Sequence, residues 1–274
     1  MTTSQPILLG AFLLAVLPPG SRAEERNVDG IMDNSFFIEE AYNQEAGVVQ
    51  HIWTGYGSVN RLSGADENAW DFTFTQEWPV GSQKHQLGFT APYSYLESEG
   101  ESDHGIGDLL LNYRYQAYFD EKSLRAFAPR FSLVLPTGNE PFGDESLGYQ
   151  INLPFSTAIG DQWFVHANAG VTWLPDAGSA DDRDLADGKI GGSVIYAATR
   201  DLHFVVEWIG EWKDEGAEHE FESMISPGLR KAFDFPDESQ LVVGIAAPIG
   251  LTDAGPDFGV FLYCSFEHFF RRQK

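Results

Sequence analysis

His166 and Asn168 stand two residues apart where apolar and polar side chains alternate, so an extended chain puts both on one face. With a serine from a neighbouring strand, Ser132 or Ser156, they could activate a hydroxyl for attack on an ester, as a lipid-hydrolysing enzyme requires. No sharp nucleophile turn or oxyanion donor is recognisable nearby, so hydrogen bonding within a polar face is the preferred reading. The other histidines, at 51, 85, 104, 203, 219 and 268, show no metal-type spacing. His219 lies among Glu215, Glu218, Glu220 and Glu222, which reads as an exposed acidic loop rather than a cation site. Gly105-Ile106-Gly107 is followed by nothing helical and is not a phosphate loop. No metal and no cofactor is expected.

The remaining candidates are charged and amide side chains inside strand-like stretches. Asp71, Glu77, Asn112, Arg114, Arg130, Asn152, His166, Asn168, Glu207 and Glu211 all fall on the polar face of their segments. Around a wet interior they would line a pore and select solutes by charge; around a narrow one they would neutralise one another. Both readings stay open at this point.

The elements that carry these residues repeat one unit from about Val48 to Phe270: alternating aromatics, then a break. Trp70, Phe72, Phe74 and Trp78 alternate with Asp71, Thr73, Thr75 and Glu77. Leu109, Leu111, Tyr113 and Tyr115 alternate with Asn112, Arg114 and Gln116. The segments 149–155, 163–173 and 204–212 behave alike, with Trp, Tyr or Phe near the ends of the apolar row. The breaks are by turns short (79–82, 120–122, 160–161, 200–201) and long (58–69, 97–105, 136–146, 175–188). This is the layout of an all-β, antiparallel transmembrane β-barrel: a lipid-facing band between aromatic girdles, tight turns on one side and longer loops on the other. A soluble periplasmic β-sheet protein that binds a ligand would also alternate, but nothing would push its aromatics to the strand ends.

Prolines 129, 227 and 248 belong near strand ends or bulges, because each removes a ladder donor. Face assignment makes Leu111 and Asn112 point to lipid and lumen respectively. An arginine then costs about 2–4 kcal/mol at the first position and almost nothing at the second.

Composition fits a chain of this kind. The formal net charge of −24 excludes a nucleic-acid partner, whose phosphates demand cations. Much of the acid lies in the long breaks, as solvated loops or as ligands for divalent cations at a lipopolysaccharide surface. The single cysteine, Cys264, permits no intrachain disulfide. Residues 7–17 are apolar, Pro18-Pro19-Gly20 breaks the run, and Ser21-Arg22-Ala23 offers a cleavage site, so 1–23 reads as a signal peptide.

Four stretches carry a family resemblance. They are Gly105-Ile-Gly-Asp-Leu-Leu-Leu-Asn-Tyr-Arg-Tyr-Gln116, Ala128-Pro-Arg-Phe-Ser-Leu-Val-Leu-Pro-Thr-Gly138, Gly148-Tyr-Gln-Ile-Asn-Leu-Pro154 and His166-Ala-Asn-Ala-Gly170. Together they resemble the outer-membrane transporter family linked to the meta pathway of phenol degradation, over roughly residues 34 to 270. Residues 36–45 also resemble a segment near the start of some members. The resemblance implies a channel for passive uptake or efflux of small organic compounds, hydrophobic or aromatic ones among them. It places the chain in a Gram-negative outer membrane, with outer-membrane lipid, lipopolysaccharide and the barrel assembly machinery as partners.

Strand-like segments number roughly thirteen from Phe36, and bacterial single-chain barrels use an even count. The alternation of breaks makes 48–274 the barrel, with about twelve strands. Residues 24–47 are left over. Glu39-Glu40 would be costly facing lipid, so this stretch is expected inside the barrel or across its periplasmic mouth as a partial plug.

Overall fold

The computed structural model describes residues 31, 34–60, 67–98, 100–144, 146–178, 183–214 and 219–270. The proposed signal peptide lies outside them, as do Glu215 and Glu218. Every regular element among the described residues is a strand: β1 (Val48–Asn60), β2 (Glu67–Val80), β3 (Ser82–Ser98), β4 (Glu101–Ile106), β5 (Leu109–Tyr115) and β6 (Tyr118–Asp120). These are followed by β7 (Arg125–Phe127), β8 (Arg130–Leu135), β9 (Gly148–Asn152), β10 (Phe155–Ile159), β11 (Trp163–Gly178) and β12 (Arg183–Thr199). The chain ends with β13 (Leu202–Asp214), β14 (His219–Asp234), β15 (Gln240–Ala246), β16 (Ile249–Gly250) and β17 (Phe258–Phe269).

All pairings are antiparallel, and the first strand meets the last: β1 pairs with both β2 and β17, the latter from Val48↔Phe269 to Val59↔Phe258. The sheet therefore closes on itself and leaves no edge. Several elements are pieces of one wall strand: β4, β5 and β6 continue one another, as do β7 with β8, β9 with β10, and β15 with β16. The wall thus has the twelve strands expected.

Prolines explain most of the interruptions. Pro129, Pro154 and Pro248 sit between β7 and β8, β9 and β10, and β15 and β16, where a missing N–H breaks the ladder. Pro227 differs: it lies inside β14, opposite Val206. Its carbonyl accepts the Ala247 N–H at 2.9 Å, so its absent donor faces the gap beside Pro248 and costs no ladder bond.

The tight turns after β2 and β10 place Gly81 and Gly160 at φ of +70° and +66°, where a side chain would be strained. Three of the four expected long breaks are encroached on by strands, and only 136–146 is not. β3 and β4 form a tight hairpin with Ser98 opposite Glu101, and β11 and β12 extend to Gly178 and from Arg183. Acidic side chains mark water, not the end of pairing, because the backbone still needs partners beyond the membrane. Residues 136–147 form the one long connection without a strand among the described residues. Asp108 organises it, accepting N–H groups of Thr137 at 3.0 Å, Gly138 at 2.8 Å and Asp144 at 2.9 Å.

Burial is inverted relative to a water-soluble protein. Leu111, Phe204, Val206 and Trp208 are more than 40% exposed, while Asn112 is 7%, His203 2% and Glu207 0% exposed. The outward rows are the apolar rows of the sequence, and only lipid makes such a surface stable. No helix among the described residues is long and apolar enough to span a membrane; the strands do so.

Candidate functional site

The candidate site is built between the inward rows and the stretch that precedes β1. Residues 34–44 hydrogen-bond to inward side chains of β3, β5, β10, β11, β12, β13 and β14, strands on all sides of the ring. A segment can reach all of them only from within.

Its path is fixed contact by contact. Glu207 accepts the backbone N–H groups of Phe36 and Ile38 on Oε1, at 3.0 and 3.1 Å, and that of Phe37 on Oε2 at 3.1 Å. Asn168 and Glu39 exchange two 2.8 Å bonds, side-chain amide to backbone. Ser156 accepts the Ala41 N–H at 2.7 Å. Gln116 accepts from Asn43 N at 3.1 Å and donates to Ala41 O at 2.7 Å. Gln86 accepts the Gln44 N–H at 2.7 Å. Backbone that no strand pairs is thus satisfied by side chains, as a buried irregular segment requires.

Arginines supply the charge. Arg130 forms a bidentate pair with Glu39, with Nε to Oε2 at 3.0 Å. Arg114 donates to Asn43 Oδ1 at 3.0 Å and Tyr42 O at 2.9 Å and lies 3.5 Å from Glu77. Arg230 donates to Asn34 O at 2.7 Å and Glu40 Oε1 at 3.0 Å. Burial raises the Glu39 carboxyl, but Arg130, with Arg114 behind it, outweighs that and holds it below the usual carboxylate range.

Apolar side chains lock the segment sideways. Phe36 meets the rings of Phe261 and Tyr263 in a buried cluster that also holds Ile52, Ile195, Val205 and Val242. A Cβ on Gly244 would lie 2.6 Å from the Phe36 ring, and one on Gly191 2.6 Å from Ile38 Cδ1, so these glycines are sockets. Phe37 lies edge-on to Tyr56, with centroids 5.2 Å apart.

The segment occupies the half of the barrel nearest the tight turns: Tyr42 donates to Leu124 O at 2.7 Å, and Asn43 to Gln83 O at 2.9 Å. On its other side opens a cavity of about 310 Å³ whose lining includes Phe37, Glu39, Arg130, Gln150, Lys189 and Glu211. At the rim of the barrel beyond it, burial, Asp108 and Asp187 together push the Asp144 carboxyl up.

The ten candidates divide accordingly. Glu207, Asn168, Arg114, Arg130 and His166 touch the segment, the last through Glu40 at 3.6 Å. Asn152 touches it too, through the Glu39 carboxylate, and also donates to Asn168, while Glu77 and Asn112 stand one contact behind, on Arg114 and Arg130. Glu211 pairs with Lys189 at 2.9 Å in the cavity wall, and exposed Asp71 accepts from Ser94 Oγ at 2.6 Å, away from the segment. Arg230 was missed by the sequence reading. It was legible in the alternation of Ser226, Gly228, Arg230 and Ala232 with Ile225, Leu229 and Phe233.

The hydrolase chemistry considered from sequence has its atoms in line here. His166 Nδ1 lies 2.7 Å from Ser156 Oγ, and Glu40 stands at its other nitrogen. Yet Ser156 is 0% exposed and already accepts the Ala41 N–H, so no ester can reach it. Its work is to hold the segment.

Sequence comparison matches residues 33–258 to the family described as "Putative MetA-pathway of phenol degradation". The chain belongs to this family. No curated protein is similar in sequence. Among solved structures, the COG4313 outer membrane channel from Pseudomonas putida F1 is similar with a TM-score of 0.65 and 14% identity, over 83% of this chain and 97% of that one. The translocator domain of the autotransporter NalP from Neisseria meningitidis follows at 0.53 and 11%, over 83% and 90%. The β domain of the Bordetella autotransporter BrkA gives 0.52 and 10%, over 83% and 100%. At such identities the likeness is one of fold. This member of the family is a closed antiparallel β-barrel.

Proposed function

We infer that the chain is a channel for passive movement of small organic compounds, hydrophobic and aromatic ones included, across the outer membrane. The observation that carries this reading is the mixed lining beside the cavity. Phe37, Tyr56 and Phe261 form an aromatic cluster, with ring centroids 4.5 Å apart for Phe37 and Phe261, next to Gln150, Asn168 and Lys189. A weakly polar ring compound finds both a stacking face and hydrogen-bond partners there. The family description and the fold shared with an outer membrane channel support the same reading.

In this reading residues 34–47 are a plug, and the polar residues from Glu77 to Glu211 line the path around it. Residues 1–23 direct export, the barrel assembly machinery inserts the wall, and lipopolysaccharide surrounds its outer end. Liposome swelling tests the proposal. Uptake of small phenolic solutes should exceed that of sugars of equal mass, and deletion of residues 24–44 should raise both rates in a barrel that still folds. Equal exclusion of all solutes by intact and truncated protein would end the channel reading.

A further inference from the structure

His51 and His268 are 217 residues apart in sequence, yet their Nε2 atoms lie 3.3 Å apart across the β1–β17 seam. The rings are nearly parallel, at 16°, with centroids 5.4 Å apart. The nitrogens therefore lie close to the line between ring centres and face each other edge to edge. Both residues share the outward rows of their strands, His51 with Trp53 and His268 with Phe266 and Leu262. A third polar group backs the pair: Gln76 of β2 approaches His51 Nδ1 at 3.3 Å. Trp53 and Phe74 flank the His51 ring. The lumen has no use for this cluster, and a lipid-facing wall has no need of it.

We propose that His51 and His268 form a two-histidine site for a divalent transition-metal ion, which clips the first wall strand to the last. Bonds of about 2.0–2.1 Å at the tetrahedral angle put two ligand nitrogens about 3.3–3.4 Å apart, the separation found here. The ion takes the place of the proton shared between the rings, and a rotation of each ring by about 35° turns both lone pairs from the line between them toward it. Gln76, whose amide nitrogen faces His51 Nδ1 in the metal-free pair, then turns its amide over and presents the oxygen to the Nδ1–H, fixing the tautomer as partners behind metal-bound histidines do. Water fills the remaining positions. Neutral imidazoles without a carboxylate favour zinc, nickel or copper over calcium or magnesium. Both ligands lie near the periplasmic ends of their strands, three residues into β1 and one from the end of β17. A metal there bonds the seam that sequence-distant strands must close, and binding to the folded form alone raises its stability.

The test uses tag-free, full-length mature protein in detergent, titrated with zinc and followed by calorimetry. One zinc per barrel is expected. Saturable binding should vanish in His51→Ala and His268→Ala, survive in His85→Ala, and weaken about 10–100-fold in Gln76→Ala. Bound copper should show nitrogen superhyperfine splitting from two equivalent ligands, a signal lost in either single variant. Zinc should also raise the temperature at which heat-modifiable gel mobility is lost. If a variant fails to fold, the unaltered protein still decides: zinc should shield both histidines from diethyl pyrocarbonate. Absence of saturable zinc binding, binding that survives the double variant, or no shielding overturns the site and leaves a plain imidazole hydrogen bond.

Discussion

Arg114 and Arg130 are direct cross-strand partners on β5 and β8, and the group that reconciles their charges is Glu39, which belongs to neither strand. Like charges opposite one another destabilise a sheet. Glu77 of the wall sits against Arg114 alone, at 3.5 Å, so Arg130 has its counter-charge only when the segment before β1 is in place, and the Glu39 carboxylate is the measure of that.

Glu39→Gln should loosen the segment by up to about 3 kcal/mol, the low end for breaking a buried pair, because Glu39 is 23% exposed. Single-channel recording should show larger or noisier conductance. Acid should act in the same direction. The Glu39 carboxyl in place sits below its ordinary 4.5, so its contribution is full above that pH and disappears as pH falls through the lowered value. Conductance that stays flat from pH 6 to pH 3 in the unaltered protein, or an acid response undiminished in Glu39→Gln, would contradict this.

Glu207→Gln tests the anchor at the other end. One carboxylate accepts three backbone N–H groups, and an amide offers one oxygen while turning an NH₂ toward the rest. Hydrogen bonds to a charged group contribute about 1.5–3 kcal/mol each, so several are at stake. Protease sensitivity of residues 34–38 should rise while the barrel keeps its heat-modifiable mobility.

Gly244→Ala should dislodge Phe36 and little else, since the nearest atoms to the new methyl are ring carbons at 2.6 and 3.2 Å and Arg230 Cβ at 3.2 Å. Overpacking of this kind costs about 1–3 kcal/mol. Adding Phe36→Leu should recover most of the loss. Additive effects in a double-mutant cycle would deny the contact.

Leu111→Arg should impair assembly in lipid by about 2–4 kcal/mol, and Gln150→Arg, in the cavity wall, should not. Alternation alone nominated Asn112 as the harmless comparison. The structure corrects this: Asn112 Oδ1 accepts from Arg130 at 3.0 Å and Ser132 at 2.7 Å, so a third arginine there would meet two others without a counter-charge. Refolding yields in bilayers compare the variants.

These cases show what the sequence could and could not say. Outward and inward rows were legible because period-2 alternation survives wherever one face meets lipid, as in Phe204, Val206 and Trp208 against His203 and Glu207. The strand count was legible from the breaks, although polar hairpins such as 97–105 looked like loops. The path of residues 34–44 was not legible, since its partners, from Gln86 to Arg230, are scattered across the whole chain and follow no spacing. The His51–His268 apposition was invisible for the same reason: barrel closure, not proximity in sequence, creates it.

The segment runs into β1 through Gly47, whose φ is +86° and whose carbonyl receives the Phe270 N–H at 2.9 Å. It is consequently tethered at the wall, a few residues from its own binding site. Any excursion is a swing about a fixed pivot, and its return is a unimolecular step at an effective concentration of order millimolar. A free peptide with the sequence of residues 34–44 would have to reach roughly that concentration to reseal a truncated barrel. The intact chain needs no such excess, and recovers its closed form at a rate independent of how much protein the membrane holds.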